Sequence, residues 1–579
     1  MSAAVEKKWI SCLERCIFSF IVLAPLRIEE NMERINWQQL ESEVFDLIII
    51  GGGINGAGIA LDAALRGLRV LLVEKKDYGS GTTSASTRLI HGGLRYLEYL
   101  EFGLVRESLH EREILLKIAA GMIHPLPILL PIYDFSRRGP LLIRLGMWLY
   151  DLLSLDKSLP AHRMLSAAET LTLEPQLRPQ QLRGAALYYD SQIEFPERLC
   201  WLLIRHARRA GAVALNYCRA VHQETGPTMQ RLEVEDLETG GRFRLRARII
   251  INATGPWVDE VRQLRRPRPA KRLQGTKGSH IVVRQWPDGP RHAIYVESPV
   301  DGRPIFIIPW LHYYLIGTTD LIYRDRLDEV VISEDEVEYL LRGVNAILNG
   351  HQVKKQDILF TYSGVRPLPA SRKTNTAAIT RRYKILMERP AGSRQATVDI
   401  IGGKLTTYRR LAEDTVDKIL RLLETGRRRS QTREYTLLPP LNEAPASAEI
   451  SQPLDASTSR HLLALYGDEA KNLMALVREQ PELAHRICPD RPDILAQAVY
   501  AVTHEQARHL EDICLRRTSI GWSADMGLSA CETIARCIAS HLGWSEADIA
   551  AEISRYRNLI LRKHIPDFLP AHDVLKPQT

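Results

Sequence analysis

The sequence predicts an α/β fold over most of its length and an all-helical region behind it. Two observations carry that assignment. Near the amino end an apolar strand breaks into a glycine-rich turn, and a helix and a second strand succeed it, which is the alternation of a parallel sheet. From 459 to 561 the apolar residues recur at helical spacing instead. The 579 residues are 45% hydrophobic and 25% charged, ordinary for a globular chain. No run of about 18 apolar residues occurs that would span a bilayer. Eight cysteines, at 12, 16, 200, 218, 488, 514, 531 and 537, form no C-x-x-C pair. Neither a metal centre nor a disulfide framework is expected, and a reducing compartment is the default. Lys plus Arg number 77 against 69 Asp plus Glu, a net charge of +8. The Arg-rich stretches 262–272 and 427–433 have few interleaved aromatics and read as solvated loops, so no nucleic-acid partner is expected.

Residues 1–44 differ from the rest of the chain. Lys7 and Lys8 precede a short apolar stretch, 17–26, too short to cross a membrane, and Met32 offers a second start. The segment 1–44 is read as an extension outside the fold, with 1–31 carrying no motif. The first firm strand is 45–50, FDLIII, continuous in apolar residues as a strand covered on both faces would be. It stops at Gly51-Gly52-Gly53-Ile54-Asn55-Gly56, where Gly51, Gly53 and Gly56 fit G-x-G-x-x-G. The first glycine allows the turn, the second lets a pyrophosphate approach the backbone, and the third lets the helix pack close. The helix 57–65 is closed by Gly67. The strand 69–73 then ends at Glu74, 23 residues after Gly51, where an acid holds ribose hydroxyls. Strand, turn, helix, strand and acid together indicate an adenine dinucleotide.

Three later segments favour FAD over NAD. A polar stretch containing Thr83, Ser84 and Ser86 comes directly after the acid-bearing strand. The apolar run 248–252 ends in Ala253-Thr254-Gly255, a small-residue turn of the kind found beside flavins. The run 398–401 enters Gly402-Gly403-Lys404-Leu405-Thr406 and a helix, 411–423, whose positive end suits a flavin ring oxygen. Asn55, Gly403, Lys404, Leu405 and Thr406 thereby join the expected cofactor set. No second G-x-G-x-x-G stands after a strand, so a separate nicotinamide domain is not expected.

Eight motifs in order carry a family resemblance: FDLIIIGGGINGAG (45–58), SASTRLIHGGLRYLE (84–98), INATGPW (251–257), KGSHIVV (277–283), IIPW (307–310), IGTTD (316–320), YSGVRPL (362–368) and GGKLTTYR (402–409). Together they resemble the FAD-dependent glycerol-3-phosphate dehydrogenases. The likeness is strong over 45–414 and weaker beyond, although HLEDICLRRT (509–518) resembles that family's cap region. It implies a Rossmann-like FAD-binding domain interleaved with a mixed-sheet substrate domain, plus a C-terminal α-helical domain. The strands near 213–250 and 273–320 are expected to be the inserted ones. The expected division is 45–430 for the interleaved pair, 431–457 for a proline-bearing linker and 458–579 for the helices.

Oxidising a secondary alcohol needs a hydride acceptor and a base that titrates near neutrality. His91 and Arg95, four residues apart, would share one side of a helix. Arg366 is read in a turn before Pro367, and Asp320 as a turn cap. By resemblance Arg95 and Tyr96 bind the substrate phosphate, Arg366 holds substrate oxygens, and Lys404 steadies the flavin and the developing alkoxide. His91 or His280 accepts the proton; the sequence does not choose between them. The resemblance further implies oxidation of sn-glycerol 3-phosphate to dihydroxyacetone phosphate, with electrons passing to a membrane quinone. Oxygen is the acceptor in the sibling oxidases, and an amine or amino-acid oxidase on the same scaffold is the remaining enzyme alternative. The stretch 140–154, PLLIRLGMWLYDLLS, comes after Arg137 and Arg138. It reads either as a helix buried against a sheet or as a membrane-surface helix. The resemblance favours a cytoplasmic protein peripheral to the membrane, with a homodimer as a candidate assembly.

Overall fold

The computed structural model describes residues 36–226, 228–371, 379–426, 428–440 and 454–575. The extension 1–31 and residues 441–453 of the expected linker lie outside the described residues. Two sheets organise the remainder. In the first, five strands run parallel in the order Ala396–Ile401, Arg242–Asn252, Val44–Ile50, Val70–Val73, Val213–Leu215. Lys384–Glu388 adds an antiparallel edge, and the hairpin Cys218–Thr225/Gln230–Asp236 extends from Arg242–Asn252. Leu47, Ile48 and Ile49 are fully buried, as a parallel strand covered on both faces must be. The helix Ile54–Leu65 packs between Pro196–Arg209 and Tyr408–Leu423 on this sheet.

The second sheet is mixed and ten-stranded. Its order is Leu321–Ile322, Leu273–Arg284, Tyr313–Gly317, Pro304–Trp310, Ala293–Glu297, Ile123–Tyr133, Leu182–Ile193, Leu89–Ile90. Ile358–Pro369 pairs along Leu273–Arg284, and only Ala293–Glu297 with Ile123–Tyr133 is parallel among its named pairs. The chain alternates between sheets: 44–73 in the first, 89–193 in the second, 213–252 in the first, 273–369 in the second, 384–401 in the first. The expected interleaving holds, with one correction. The strands at 213–250 belong to the first sheet, because the helix Pro196–Arg209 returns the chain to it as a crossover that sets Val213–Leu215 parallel to Val70–Val73.

The helices from Ala456–Tyr466 to Glu546–Lys563 form the C-terminal region, and its core runs into the second sheet through Trp522. That ring stands 5.5 Å from Trp310 and 6.0 Å from Tyr362. Residues 36–44 are not outside the fold. The helix Trp37–Ser42 buries Leu40, stacks Trp37 on Phe243 at 3.9 Å, and accepts the Arg244 amide on Glu41. The helix Pro140–Leu152 is covered on one face only. Ile143, Met147 and Tyr150 are buried, while Leu141, Leu145, Trp148 and Leu152 are each at least 60% exposed. Among the described residues no helix is long and apolar enough to cross a membrane.

Candidate active site

Between the sheets lies a cavity of about 1210 Å³. That exceeds the roughly 300–1,000 Å³ of an ordinary small-molecule pocket. Its nucleotide end is built mainly of backbone. Gly51 adopts φ +109°, and a Cβ there would stand 2.8 Å from the Ala253 carbonyl oxygen. A Cβ on Gly56 would overlap the Gly51 oxygen. The Ile54 amide donates to Thr83 Oγ1 at 3.1 Å, fixing the start of the helix Ile54–Leu65. Glu74 accepts the Gly52 amide at 2.7 Å and the Lys76 amide at 2.9 Å. Burial raises its pKa, and the two amides work against that rise. Asn55 donates to the Gly402 carbonyl at 3.2 Å, while its Oδ1 is buried without a hydrogen-bond partner among the described residues. Gly403, at φ +106°, lies so near Asn55 that a Cβ would approach its Nδ2 to 2.6 Å. Every expected cofactor residue lines this cavity except Gly56, which is packed behind Gly51: Gly53, Ser84, Ser86, Gly255, Leu405 and Thr406 all face it.

The other end is built of side chains. His91 comes directly after the strand Leu89–Ile90, its backbone held from both sides by Thr406 Oγ1, which accepts its amide at 3.1 Å and donates to its carbonyl at 3.4 Å. The Gly92 amide donates to Asp190. Gly93, at φ +81°, then starts the 3₁₀ turn Leu94–Tyr99. His91 and Arg95 are therefore not on one helix as expected, since the left-handed glycine breaks the chain between them. Both still line the cavity. Arg366 lies in the strand Ile358–Pro369, opposite Thr276, and not in a turn. Among the described residues that strand pairs along Leu273–Arg284 alone, so an edge position tolerates Pro367.

Arg366 donates to Thr318 Oγ1 at 2.9 Å and to Asp320 at 3.3 Å. Asp320, expected as a turn cap, also receives Arg381 at 3.2 Å and so joins two guanidiniums. Arg381 lines the cavity too and is missed by sequence reasoning; nothing marks it locally, and only the fold brings it 61 positions back to Asp320. Lys404 donates to Ser108 Oγ at 2.8 Å and stands 4.5 Å above the Tyr96 ring. Among the described residues Arg95 and Lys404 have no carboxylate at ion-pair distance. Burial alone would raise the Tyr96 pKa, yet Lys404, Arg381, Arg95 and Arg366 together lower it, so this end is strongly positive.

The two histidines differ. The His91 pKa is lowered to about 4, first by burial and then by the neighbouring Lys404, Arg95 and Arg112, with Asp190 opposing. Among the described residues its ring nitrogens have no hydrogen-bond partner. His280 is lowered well below its usual value, again chiefly by burial. Its Nε2 is engaged with Thr87 Oγ1 at 3.0 Å, its ring stacks on Tyr362, and its Nδ1 is buried without a partner among the described residues. Both are neutral at pH 7, the form a base requires, but neither titrates near neutrality as expected, because burial disfavours the charged imidazole.

The FAD dependent oxidoreductase family matches residues 46–409, and the C-terminal domain of alpha-glycerophosphate oxidase matches 393–549. Glycerol-3-phosphate dehydrogenase of Synechocystis sp. is 45% identical over 92% of this chain and 99% of its own length. This chain belongs to the FAD-dependent glycerol-3-phosphate dehydrogenase family. The aerobic glycerol-3-phosphate dehydrogenase of Escherichia coli is 37% identical over 83% of this chain and 94% of its own. The crystal structure of the Bacillus halodurans glycerol-3-phosphate dehydrogenase complexed with FAD superposes with a TM-score of 0.75 at 28% identity, covering 92% of this chain and 97% of that one. The dehydrogenase described here is a flavoprotein, and its glycine cradle, Glu74 and the large cavity fit FAD.

Proposed function

We propose that the enzyme oxidises sn-glycerol 3-phosphate to dihydroxyacetone phosphate. One observation carries the reading: Arg95, Arg366, Arg381 and Lys404 converge round Tyr96 at one end of a flavin cavity, and among the described residues Asp320 is a carboxylate joined to that set. A phosphate with nearly two charges answers this excess, and planar guanidiniums match its oxygens in pairs. An amino-acid oxidase needs one carboxylate clamp and room for an amine, which leaves this many cations unmatched. FAD, when bound, supplies the hydride acceptor. Arg95, Arg366 and Arg381 hold the phosphate and fix the C2 hydrogen toward the flavin, and Lys404 stabilises charge as it develops on the C2 oxygen. His91 takes the hydroxyl proton, since it lines the cavity and, among the described residues, its ring nitrogens have no hydrogen-bond partner; His280 orients Thr87 and the adjoining wall.

The electron acceptor is a membrane quinone in this reading. Leu141, Leu145, Trp148 and Leu152 form an exposed apolar row on one helix, and Leu155, 81% exposed, continues it. Exposed Arg137 precedes the row, a combination suited to an anionic bilayer surface on the cytoplasmic side, whereas Arg138 is turned inward onto Glu98 and Glu297. Anaerobic addition of sn-glycerol 3-phosphate should bleach the flavin, and decylubiquinone should restore its colour faster than air does. Bleaching by amino acids and not by glycerol 3-phosphate would overturn the substrate. Trp148→Glu with Leu145→Glu should release the protein from vesicles of anionic lipid without changing anaerobic flavin reduction.

A further inference from the structure

We infer that the C-terminal helical region positions the cofactor, by clamping through Asp77 the turn that carries Glu74. The inference rests on the reading of Glu74 as the ribose-holding acid. Asp77 is fully buried three residues after Glu74. It accepts Arg516 Nε at 2.7 Å, both terminal nitrogens of Arg517 at 2.8 Å, and Asn216 Nδ2 at 3.1 Å. Four donors on one carboxylate is close to its full capacity. Neighbouring residues of an α-helix diverge by about 100°. Arg516 and Arg517 reach the same acid from a π-helical turn, Ile513–Arg517, a widened form that recurs at functional sites.

The clamp has further threads. Tyr78 donates to Gln506 Oε1 at 2.9 Å, Asn216 donates to the Gln506 carbonyl at 2.9 Å, and Tyr217 donates to Asp512 at 2.6 Å. The Tyr217 amide donates to the Lys76 carbonyl, and the Cys218 amide to the Glu74 carbonyl. Residues 74–79 are thus tied on one side to the chain at 217–218 and on the other to residues 506–517. The consequence reaches the cofactor through one amide. Lys76 N–H holds Glu74 Oε1, while Oε2 holds the Gly52 amide of the glycine turn. Displacing Asp77 moves the Lys76 amide and loosens the acid that must stay fixed to grip a ribose. The same C-terminal region also walls the cavity directly with His509, Arg516 and Lys563. Asp77, Arg516 and Arg517 are positioning residues, since none of the three needs to touch the cofactor for this effect.

The test measures the FAD dissociation constant and the rate of flavin release of the purified holoenzyme, with kcat and substrate KM at saturating FAD. Asp77→Asn keeps the volume but removes the charge that two guanidiniums share, and FAD should bind about tenfold more weakly, with kcat and KM at saturating FAD unchanged. Tyr217→Phe combined with Tyr78→Phe removes two threads at constant packing and should raise flavin release about threefold; this pair decides the matter where Asp77→Asn does not fold. Unaltered release in the variants that fold overturns the clamp. So does a thermal midpoint lowered equally with and without FAD at an unchanged release rate, which would make the cluster a matter of fold stability. Glu74→Gln is measured alongside. If it loosens FAD and the clamp variants do not, the inference alone falls; if it too retains FAD, the reading of Glu74 falls with it.

Discussion

The two ends of the cavity are made of different material. At the nucleotide end the contacts come from backbone: glycines without a Cβ, amides at a helix start, one acid held by two N–H groups. At the substrate end they come from long cationic side chains converging from Leu94–Tyr99, Ile358–Pro369, residue 381 and residue 404. Backbone sites fail when atoms are added, because the fold has no room to yield. Side-chain sites fail when atoms are removed, because the groups reach into space and do not hold the fold. The difference teaches where each kind of variant will be felt.

The largest effect should come from adding one methyl group at the first end. Gly56→Ala drives a Cβ into the Gly51 carbonyl oxygen. Backbone has to move, at a cost of about 1–3 kcal/mol or more. The purified variant should be colourless, with FAD neither retained nor restored by dialysis against it. A yellow variant with normal flavin content would show that the cradle is more pliable than its packing implies.

Arg366→Ala is the converse. It deletes charge-assisted hydrogen bonds worth about 1.5–3 kcal/mol each, so flavin reduction at limiting glycerol 3-phosphate should slow roughly ten- to a hundred-fold. FAD content and the thermal midpoint should hold. Arg366→Lys keeps charge without the planar fork and should recover only part of the rate. Unfolding of the alanine variant would place Arg366 with the structural residues and blur the contrast between the two ends.

The same contrast explains what is legible in the sequence. Gly51, Gly53, Gly56 and Glu74 lie within 24 residues, and the conformations they permit are local, so the nucleotide end can be read directly. The substrate end assembles by topology. Arg381 has no local mark and acquires its place only when Asp320 meets it across the fold. The four-residue spacing of His91 and Arg95 suggests a helix because the spacing cannot reveal that Gly93 turns left-handed between them. Pro367 suggests a turn because the edge position that excuses it is a property of the sheet. Trp37–Ser42 reads as lying outside the fold because an exposed polar helix shows no core pattern, although one ring and one leucine fasten it.

Acid should act oppositely on the two ends. His91, about 4 in the fold against 6.5 in the open chain, is buried neutral, so the unfolded state binds its proton first. Its contribution is fully present above pH 6.5 and is lost as pH falls toward 4, by up to about 1.4 kcal/mol per pH unit. His280 adds in the same direction. Glu74, raised chiefly by burial, has the reverse sign: its contribution is present below 4.5 and lost as pH rises through its folded value. The thermal midpoint of wild type should therefore fall between pH 6.5 and 4.5, and His91→Gln should flatten that fall. An identical slope in the variant would show that the His91 ring is not held neutral.

The smallest expected effect lies at neither end. Trp37 stacks on Phe243 at 3.9 Å with the rings within 1° of parallel, and the Arg244 amide donates to Glu41 at 2.8 Å beside it. These contacts brace the strand Arg242–Asn252, which pairs along Val44–Ile50 and so lies next to the glycine turn. Trp37 itself does not line the cavity. An aromatic pair is worth about 0.5–1.5 kcal/mol beyond its buried area, and in a chain this long, with an unfolding entropy of about 2.1 cal/mol/K per residue, about 1 kcal/mol moves the thermal midpoint by roughly 1 °C. Trp37→Ala should lower the midpoint by that much and leave flavin content, flavin reduction and substrate affinity at wild-type values. An unchanged midpoint would mean that the helix rests on the sheet without bracing it. A loss of FAD would be more informative, for it would show that the backbone-built end depends on side-chain contacts made at the far margin of its own sheet, and the division between the two ends would then hold only for the residues that touch the ligand.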